Sequence, residues 1–328
     1  MFDLISIGDA AVDLFFQIHD AEIEIEKGQK ELCLRFGDKL PVDKYMQVLG
    51  GNNPNNAVGA ARLGMRSAVY LNIGTDEMGK FTLSKLKEEG VDTRYVKVCE
   101  GQDSNVSALI SFKGERTILT YHQDFKYQLP DLDRAKWIYV SSMGKSAIEC
   151  NLNGQVENYL ERTGASLIYN PGTYELNFGI KKFARLLSLT KLLILNKEEA
   201  EQVVGGINMK KMLCGLLDLG SKMVIITDGK NGSYGFSGEK YYKLEAFPAK
   251  VVDMTGAGDA YATGVLAAFF HGKDLAEAMR WGAANGASVV EKIGAQAGLL
   301  TYDKIQKILK ENSKITAEEF INNGGTKT

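Results

Sequence analysis

A chain of 328 residues, 45% hydrophobic and 24% charged, is long enough to bury a large core and has the balance of a soluble globular protein. Its formal net charge of −2, with lysines and arginines dispersed along the chain, offers no electrostatic footprint for nucleic acid. Four scattered cysteines without a CxxC pair and only three histidines (His19, His122, His271) do not make a zinc site. Isolated thiols fit a reducing compartment. An early acid, Asp3, with no basic leader, and the lack of any uncharged apolar run of spanning length point to a cytoplasmic protein with no membrane partner.

In chain order, short apolar runs predict strands at 4–7, 68–73, 137–140, 167–169, 192–195 and 223–227. Helical periodicity predicts helices at 55–63, 81–89, 180–189, 198–204, 209–219, 257–271, 274–292 and 302–311. Strands that are apolar throughout and separated by helices imply an α/β fold, a doubly wound, mostly parallel sheet flanked by helices. The whole chain, 1–328, reads as a single domain. Two stretches, about 14–48 and 96–125, break the rhythm. In the second, 106–112 and 116–121 alternate around Lys113-Gly114-Glu115, which predicts a hairpin. Together the two stretches are expected to form a small β-sheet lid near the carboxyl ends of the main strands, where α/β proteins bind ligands. A peripheral packing layer or a dimer face is the plainer alternative, and both can hold together. The tail at 322–328 is expected to be a flexible segment.

Gly74-Thr75-Asp76-Glu77-Met78-Gly79-Lys80 nearly reproduces a phosphate-cradling GxxxxGK[ST] loop. Phe81 follows, however, and cannot supply the hydroxyl that ligates magnesium. Asp76 and Glu77 would also put two negative charges where phosphate should lie. A glycine-bounded strand-to-helix turn accounts for the pattern.

The segment Asp253-Met254-Thr255-Gly256-Ala257-Gly258-Asp259 is the most informative. It follows the apolar Val251-Val252 and opens a helix of small and apolar residues. Glycine and alanine at that start leave the free N–H groups unobstructed, making an anion site. Asp259, read alone, would be a helix-start acid complementing the dipole. Beside a phosphate cradle in an apolar segment it becomes a candidate general base, ionised at neutral pH.

That segment resembles the C-terminal signature of the ribokinase-like (PfkB) carbohydrate kinase family, usually written D-T-x-G-A-G-D or a near variant. The resemblance implies a doubly wound ribokinase-like fold with a β lid and an ATP-dependent phosphotransferase acting on an alcohol group. It makes Asp259 the catalytic base and Gly256, Ala257 and Gly258 the anion hole. Gly50-Gly51-Asn52-Asn53-Pro54-Asn55 resembles the family's N-terminal glycine signature, which gives Gly50, Gly51 and Asn55 substrate contacts; without it the stretch is a turn before a capped helix. Gly8-Asp9-Ala10-Ala11-Val12-Asp13 resembles the opening strand, whose second acid, Asp13, holds substrate hydroxyls.

By the same resemblance, Asn196-Lys197-Glu198-Glu199 matches an N-x-x-E element, so that Asn196 and Glu199 organise Mg2+, partly through water. Thr227-Asp228-Gly229-Lys230-Asn231-Gly232 matches a nucleotide loop, assigning Thr227, Gly229 and Gly232 to ATP. Asn285 falls on a later helix bordering the adenine. Asp253 and Thr255 match part of a monovalent-cation site, which implies K+ activation. The implied function is phosphorylation of a small sugar, in the manner of ribokinases and fructokinases, with a homodimer through the lid. A nucleoside kinase of the same family is the alternative, with Tyr121, His122 and Phe125 available to stack on a base, packing in the lid being their plainer use. A sugar-binding sensor that has lost catalysis is the second alternative.

Overall fold

Alternation between two buried faces organises the main sheet. Ile5, Ile138, Val140, Leu193, Leu195, Val224 and Ile226 point into one hydrophobic cluster. Their chain neighbours Leu4, Tyr139, Leu192, Ile194 and Ile225 point into another. A strand buried on both sides needs a helical layer on each, and the chain provides them. The computed structural model describes residues 1–320 other than Lys27, Gly114 and Ile207. The tail at 322–328 and the centre of the turn at 113–115 lie outside the described residues.

The strands are β1 (Phe2–Ile7), β2 (Ala11–Gln17), β3 (Glu22–Glu26), β4 (Gln29–Cys33), β5 (Lys44–Gly50), β6 (Ser67–Gly74), β7 (Asp92–Cys99), β8 (Val106–Phe112) and β9 (Glu115–Tyr121). They continue as β10 (Ala135–Ser141), β11 (Ser166–Asn170), β12 (Thr190–Asn196), β13 (Met223–Thr227), β14 (Ser233–Phe236), β15 (Tyr241–Leu244) and β16 (Glu318–Glu319). Among the described residues, the main sheet runs β16-β15-β14-β13-β12-β11-β10-β1-β6-β7. It is parallel from β7 to β13 and antiparallel beyond. The order reverses at β1, the kind of switch point where doubly wound sheets open a crevice. A four-stranded sheet, β5-β2-β8-β9, and the ribbon β3–β4 stand apart from it.

The helices are α1 (Asn52–Arg62), α2 (Glu77–Glu88), α3 (Lys145–Glu149), α4 (Leu152–Thr163), α5 (Thr173–Phe178), α6 (Ala184–Leu189), α7 (Lys197–Val204), α8 (Met209–Leu217), α9 (Ala257–Phe270), α10 (Leu275–Val290) and α11 (Tyr302–Glu311). Residues of α4, α6 and α8 fill one face of the sheet; those of α9, α10 and α11 fill the other. Among the described residues, no helix is long and apolar enough to cross a membrane.

Sequence and structure part company in a few places. Residues 96–99 belong to β7, the parallel edge of the main sheet, where Val96 and Val98 extend the pairing with Leu71 and Ile73. The small sheet therefore takes up only from Val106 in that stretch. At its other end β2 begins at Ala11, which puts Asp13 on the small sheet. Helix α4 is absent from the sequence reading because Asn151, Asn153 and Gly154 at its start look like a turn, and Asn151 does adopt a left-handed conformation. The helix read at 180–189 is a 3-10 turn (Ile180–Phe183) followed by α6.

The near-P-loop is filled by its own acid. Asp76 caps α2 by accepting from the Gly79 amide at 3.0 Å, and also takes the Ser104 hydroxyl at 2.6 Å. A side chain at Gly74 or Gly79 would strike backbone, so close approach explains both glycines.

Helices α9 and α10 cross at Gly264 and Gly282. A Cβ on Gly264 would lie 2.5 Å from the Trp281 carbonyl oxygen and 2.9 Å from Gly282 Cα. Backbone cannot yield as a side chain can. Gly264→Ala is therefore expected to destabilise the fold by about 1–3 kcal/mol despite alanine's better helix propensity, as measured by urea denaturation.

Candidate active site

Gly256 takes a left-handed conformation (φ 76°) as the N-cap of α9, and any side chain there would run into Ala295. This turn brings the start of α9 to the carboxyl end of the main sheet. Ala257 N–H makes a long bond, 3.3 Å, to the Met254 carbonyl, and Ala260 N–H is satisfied by Gly256 at 2.9 Å. Among the described residues, nothing accepts from the amides of Gly256, Gly258 and Asp259. Of the expected anion hole, Gly256 and Gly258 thus have free donors, Ala257 is partly committed, and Asp259 N–H joins them.

Asp259 is the third residue of α9 and only 7% exposed. Asn55 Nδ2 donates to its Oδ2 at 2.9 Å, and Gln296 Nε2 holds Asn55 from behind, also at 2.9 Å. Oδ1 takes no donor among the described residues. Burial pushes the Asp259 carboxyl up to about 6; the Asn55 bond pulls it down, and the Asp13 charge pushes it up again. At neutral pH the carboxylate remains mostly ionised.

Asp13 is likewise raised to about 6 by burial, with the Ser107 hydroxyl and the Arg116 charge opposing, and Asp253 adding to it. Gly50 exists for its sake, because a Cβ there would collide with the Asp13 carboxylate. Gly51 (φ 89°) lets the chain pass 2.8 Å from Ala10 Cα as measured to an added Cβ.

A cavity of about 260 Å³ joins these groups. Asp13, Gly51, Asn55, Gly256 and Asp259 line it, as does Thr255. Asp9, Asn52, Ser107 and Ser142 also line it, residues the motif reading left without a substrate role, and so does His122, which the nucleoside alternative offered to a base. Asp9 adjoins the Asp13 motif and was the legible one. It is buried, held by the Tyr127 hydroxyl and by the Gly144 amide at 2.7 Å, and burial raises its carboxyl. His122 meets Tyr174 edge to face, centroids 6.4 Å apart. Tyr121 is exposed and does not line the cavity, and Phe125 is buried in the core.

The remaining assignments fare differently. Thr227, at the end of β13, and the loop that follows stand outside the cavity lining; Gly232 (φ 91°) closes that loop against Leu244 O. Asn285, expected to border the adenine, has both amide atoms committed inside the protein. It is 0% exposed, with Nδ2 donating to Ala260 O at 2.7 Å and Oδ1 accepting from Leu300 N–H at 3.0 Å. Its amide ties α10 to α9, the plain structural use of a buried polar group.

Asn196 and Glu199 form a reciprocal capping box at α7, with bonds of 2.8 and 2.9 Å. Among the described residues nothing donates to the other Glu199 oxygen, Oε1, which fits a Mg2+ ion that needs one carboxylate besides phosphate oxygens and water. Asp253 and Thr255 do not fit a monovalent cation. The Arg116 guanidinium already donates to Asp253 Oδ1 and Thr255 Oγ1, and the Gly294 amide takes Asp253 Oδ2.

A family model described as pfkB family carbohydrate kinase matches residues 18–301. The chain belongs to the pfkB family of carbohydrate kinases. The match begins after Asp13, so that residue rests on the geometry. The kinase has a relative, an ATP-dependent 6-phosphofructokinase from Thermoanaerobacterium thermosaccharolyticum, that is 24% identical over 94% of each chain. Among solved structures it resembles an Arabidopsis thaliana ribokinase complexed with ribose and ATP (TM-score 0.78, 22% identity, 94% of this chain and 99% of that one). It also resembles a Methanocaldococcus jannaschii nucleoside kinase (TM-score 0.76, 22% identity, 94% and 98%). The ribokinase-like fold, a mostly parallel sheet flanked by helices beside a small second sheet, agrees with the sequence reading.

A buried acid whose pKa is raised on folding stabilises the protein only while it holds its proton. The contribution is complete below the unfolded value, near 4, and is lost as pH rises through about 6. Asp259→Asn removes this penalty and keeps an acceptor for Asn55. The variant kinase is expected to be more stable than the parent at pH 8, by up to about 3 kcal/mol, and to show no gain at pH 4. Thermal melts at the two pH values check this.

Proposed function

We propose that this kinase transfers the γ-phosphoryl group of ATP to a hydroxyl of a small sugar, with Asp259 as general base. The observation that carries the reading is the buried Asp259, lining a cavity of hydroxyl-binding groups beside helix-start amides, with its Oδ1 and those amides unpaired among the described residues. Asp13 and Asn55 would hold the sugar's hydroxyls, with the Gly51 backbone against it. One hydroxyl then faces Asp259 Oδ1 and gives up its proton there. As that proton leaves, the sugar oxygen bonds to phosphorus and the bond from phosphorus to the ADP oxygen breaks. The amides of Gly256, Gly258 and Asp259 would stabilise charge on the transferred group.

Glu199 would hold Mg2+ through its free oxygen and through water; the bound ion supplies charge neutralisation for the phosphates. The turn at Thr227, Gly229 and Gly232 would take the nucleotide. The small sheet would act as a lid, its strands β2 and β8 contributing Asp13 and Ser107, and so keep water from competing as acceptor.

Among the described residues no lysine or arginine lines the cavity, which favours an uncharged polyol over a phosphorylated sugar. A nucleoside is the second reading, because the His122 and Tyr174 rings at the cavity are placed to meet a base.

A coupled ADP-release assay with Mg2+ and ATP, run over ribose, fructose, phosphosugars, sugar acids and nucleosides, tests the proposal. The expected result is turnover with an uncharged sugar that falls about 10²–10⁴-fold in Asp259→Asn while ATP affinity is kept. Wild-type turnover in that variant would remove Asp259 from the chemistry. Silence across the panel, with one compound still bound, would favour the sensor.

A further inference from the structure

Arg116 stands on β9, the outer strand of the small sheet, opposite Ser111. Every residue of β9 is exposed, yet the Arg116 side chain reaches across to the main body. There its Nη1 donates to Asp253 Oδ1 and to Thr255 Oγ1, the latter at 2.5 Å. Asp253 is the clamp beneath the anion hole. Its Oδ1 accepts from Thr255 N–H at 3.0 Å and Thr255 Oγ1 at 2.7 Å, and its Oδ2 accepts from Gly294 N–H at 2.9 Å. These bonds fix the turn that ends at Gly256. They also put a carboxylate next to amides that must hold a phosphate, with Asp13 and Asp259 close by.

So much negative charge needs a counter-ion. We infer that Arg116 is that counter-ion, a protein-borne cation standing where a monovalent metal would otherwise bind, so that transfer needs no K+ and the anion hole is braced only when the small sheet is seated. A guanidinium suits the place because it is always charged and can bond two oxygens at once. The electrostatics agree. Burial opposes ionisation of Asp253, but the bonds from Gly294 and Thr255 and the Arg116 charge prevail and hold its carboxyl below the usual value. Arg116 is thus a positioning residue, acting through Asp253 and Thr255, and the inference rests on the kinase reading.

The test compares wild type, Arg116→Ala and Arg116→Lys in KCl, NaCl and choline chloride at matched ionic strength, reading both turnover and melting temperature. Wild type is expected to turn over equally in all three salts. Arg116→Ala should lose about ten- to a hundredfold in choline chloride and recover with K+ or guanidinium, with Arg116→Lys between. K+ should raise the melting temperature of Arg116→Ala selectively and leave wild type unmoved. A wild type that requires K+, or is selectively stabilised by it, overturns the inference, as does Arg116→Ala with wild-type turnover in choline chloride. The melting data stand even if no substrate in the panel is turned over, so the failure of the kinase reading would be told apart from the failure of this one.

Discussion

Two opposed demands meet at the start of α9. Burial disfavours a negative charge on Asp259 and the Asn55 donor favours one, with the Asp13 charge adding to the burial; between them the carboxyl is raised to about 6. A carboxylate in that balance is ionised at neutral pH and still basic enough to accept a proton. Much of the surrounding structure serves to keep it there. Asn55 orients one oxygen, Gln296 orients Asn55, and Asn56 secures the next turn of α9 through Thr263 at 2.9 Å.

The glycines make the second condition. Gly264 and Gly282 let α9 and α10 approach to backbone contact, Gly256 turns the chain against Ala295, and Gly50 clears space for Asp13. Each removes a side chain where two segments distant in sequence must touch. The site is therefore a property of packing as much as of its polar groups, and a single added methyl can disturb it from afar.

The parts legible in sequence were those whose physics is local. A helix start of small residues with an acid in its first turn can be read from seven consecutive positions, and apolar runs show the doubly wound sheet. What was not legible comes from long-range pairing. The Asn55–Asp259 bond spans 204 residues and Gln296–Asn55 spans 241; Arg116 finds Asp253 across 137. Nothing in the local pattern around Gln296 or Arg116 announces those partners. Asn285 shows the converse, since a loose match gives it a nucleotide while its amide is spent on Ala260 of α9 and on Leu300. Asn196 and Glu199 sit between, because their spacing is a capping box whether or not a metal binds.

The central claim is that Asp259 works as a base whose proton affinity is set by burial and trimmed by Asn55. The most direct measurement is the pH dependence of kcat/KM for wild type and Asn55→Ala. Wild type should lose activity as pH falls through about 6, because the base is then protonated. In Asn55→Ala that limb should move to higher pH, because the charged form has lost its donor. A wild-type profile flat between about pH 5 and 8, or a limb that stays in place without Asn55, would contradict the account.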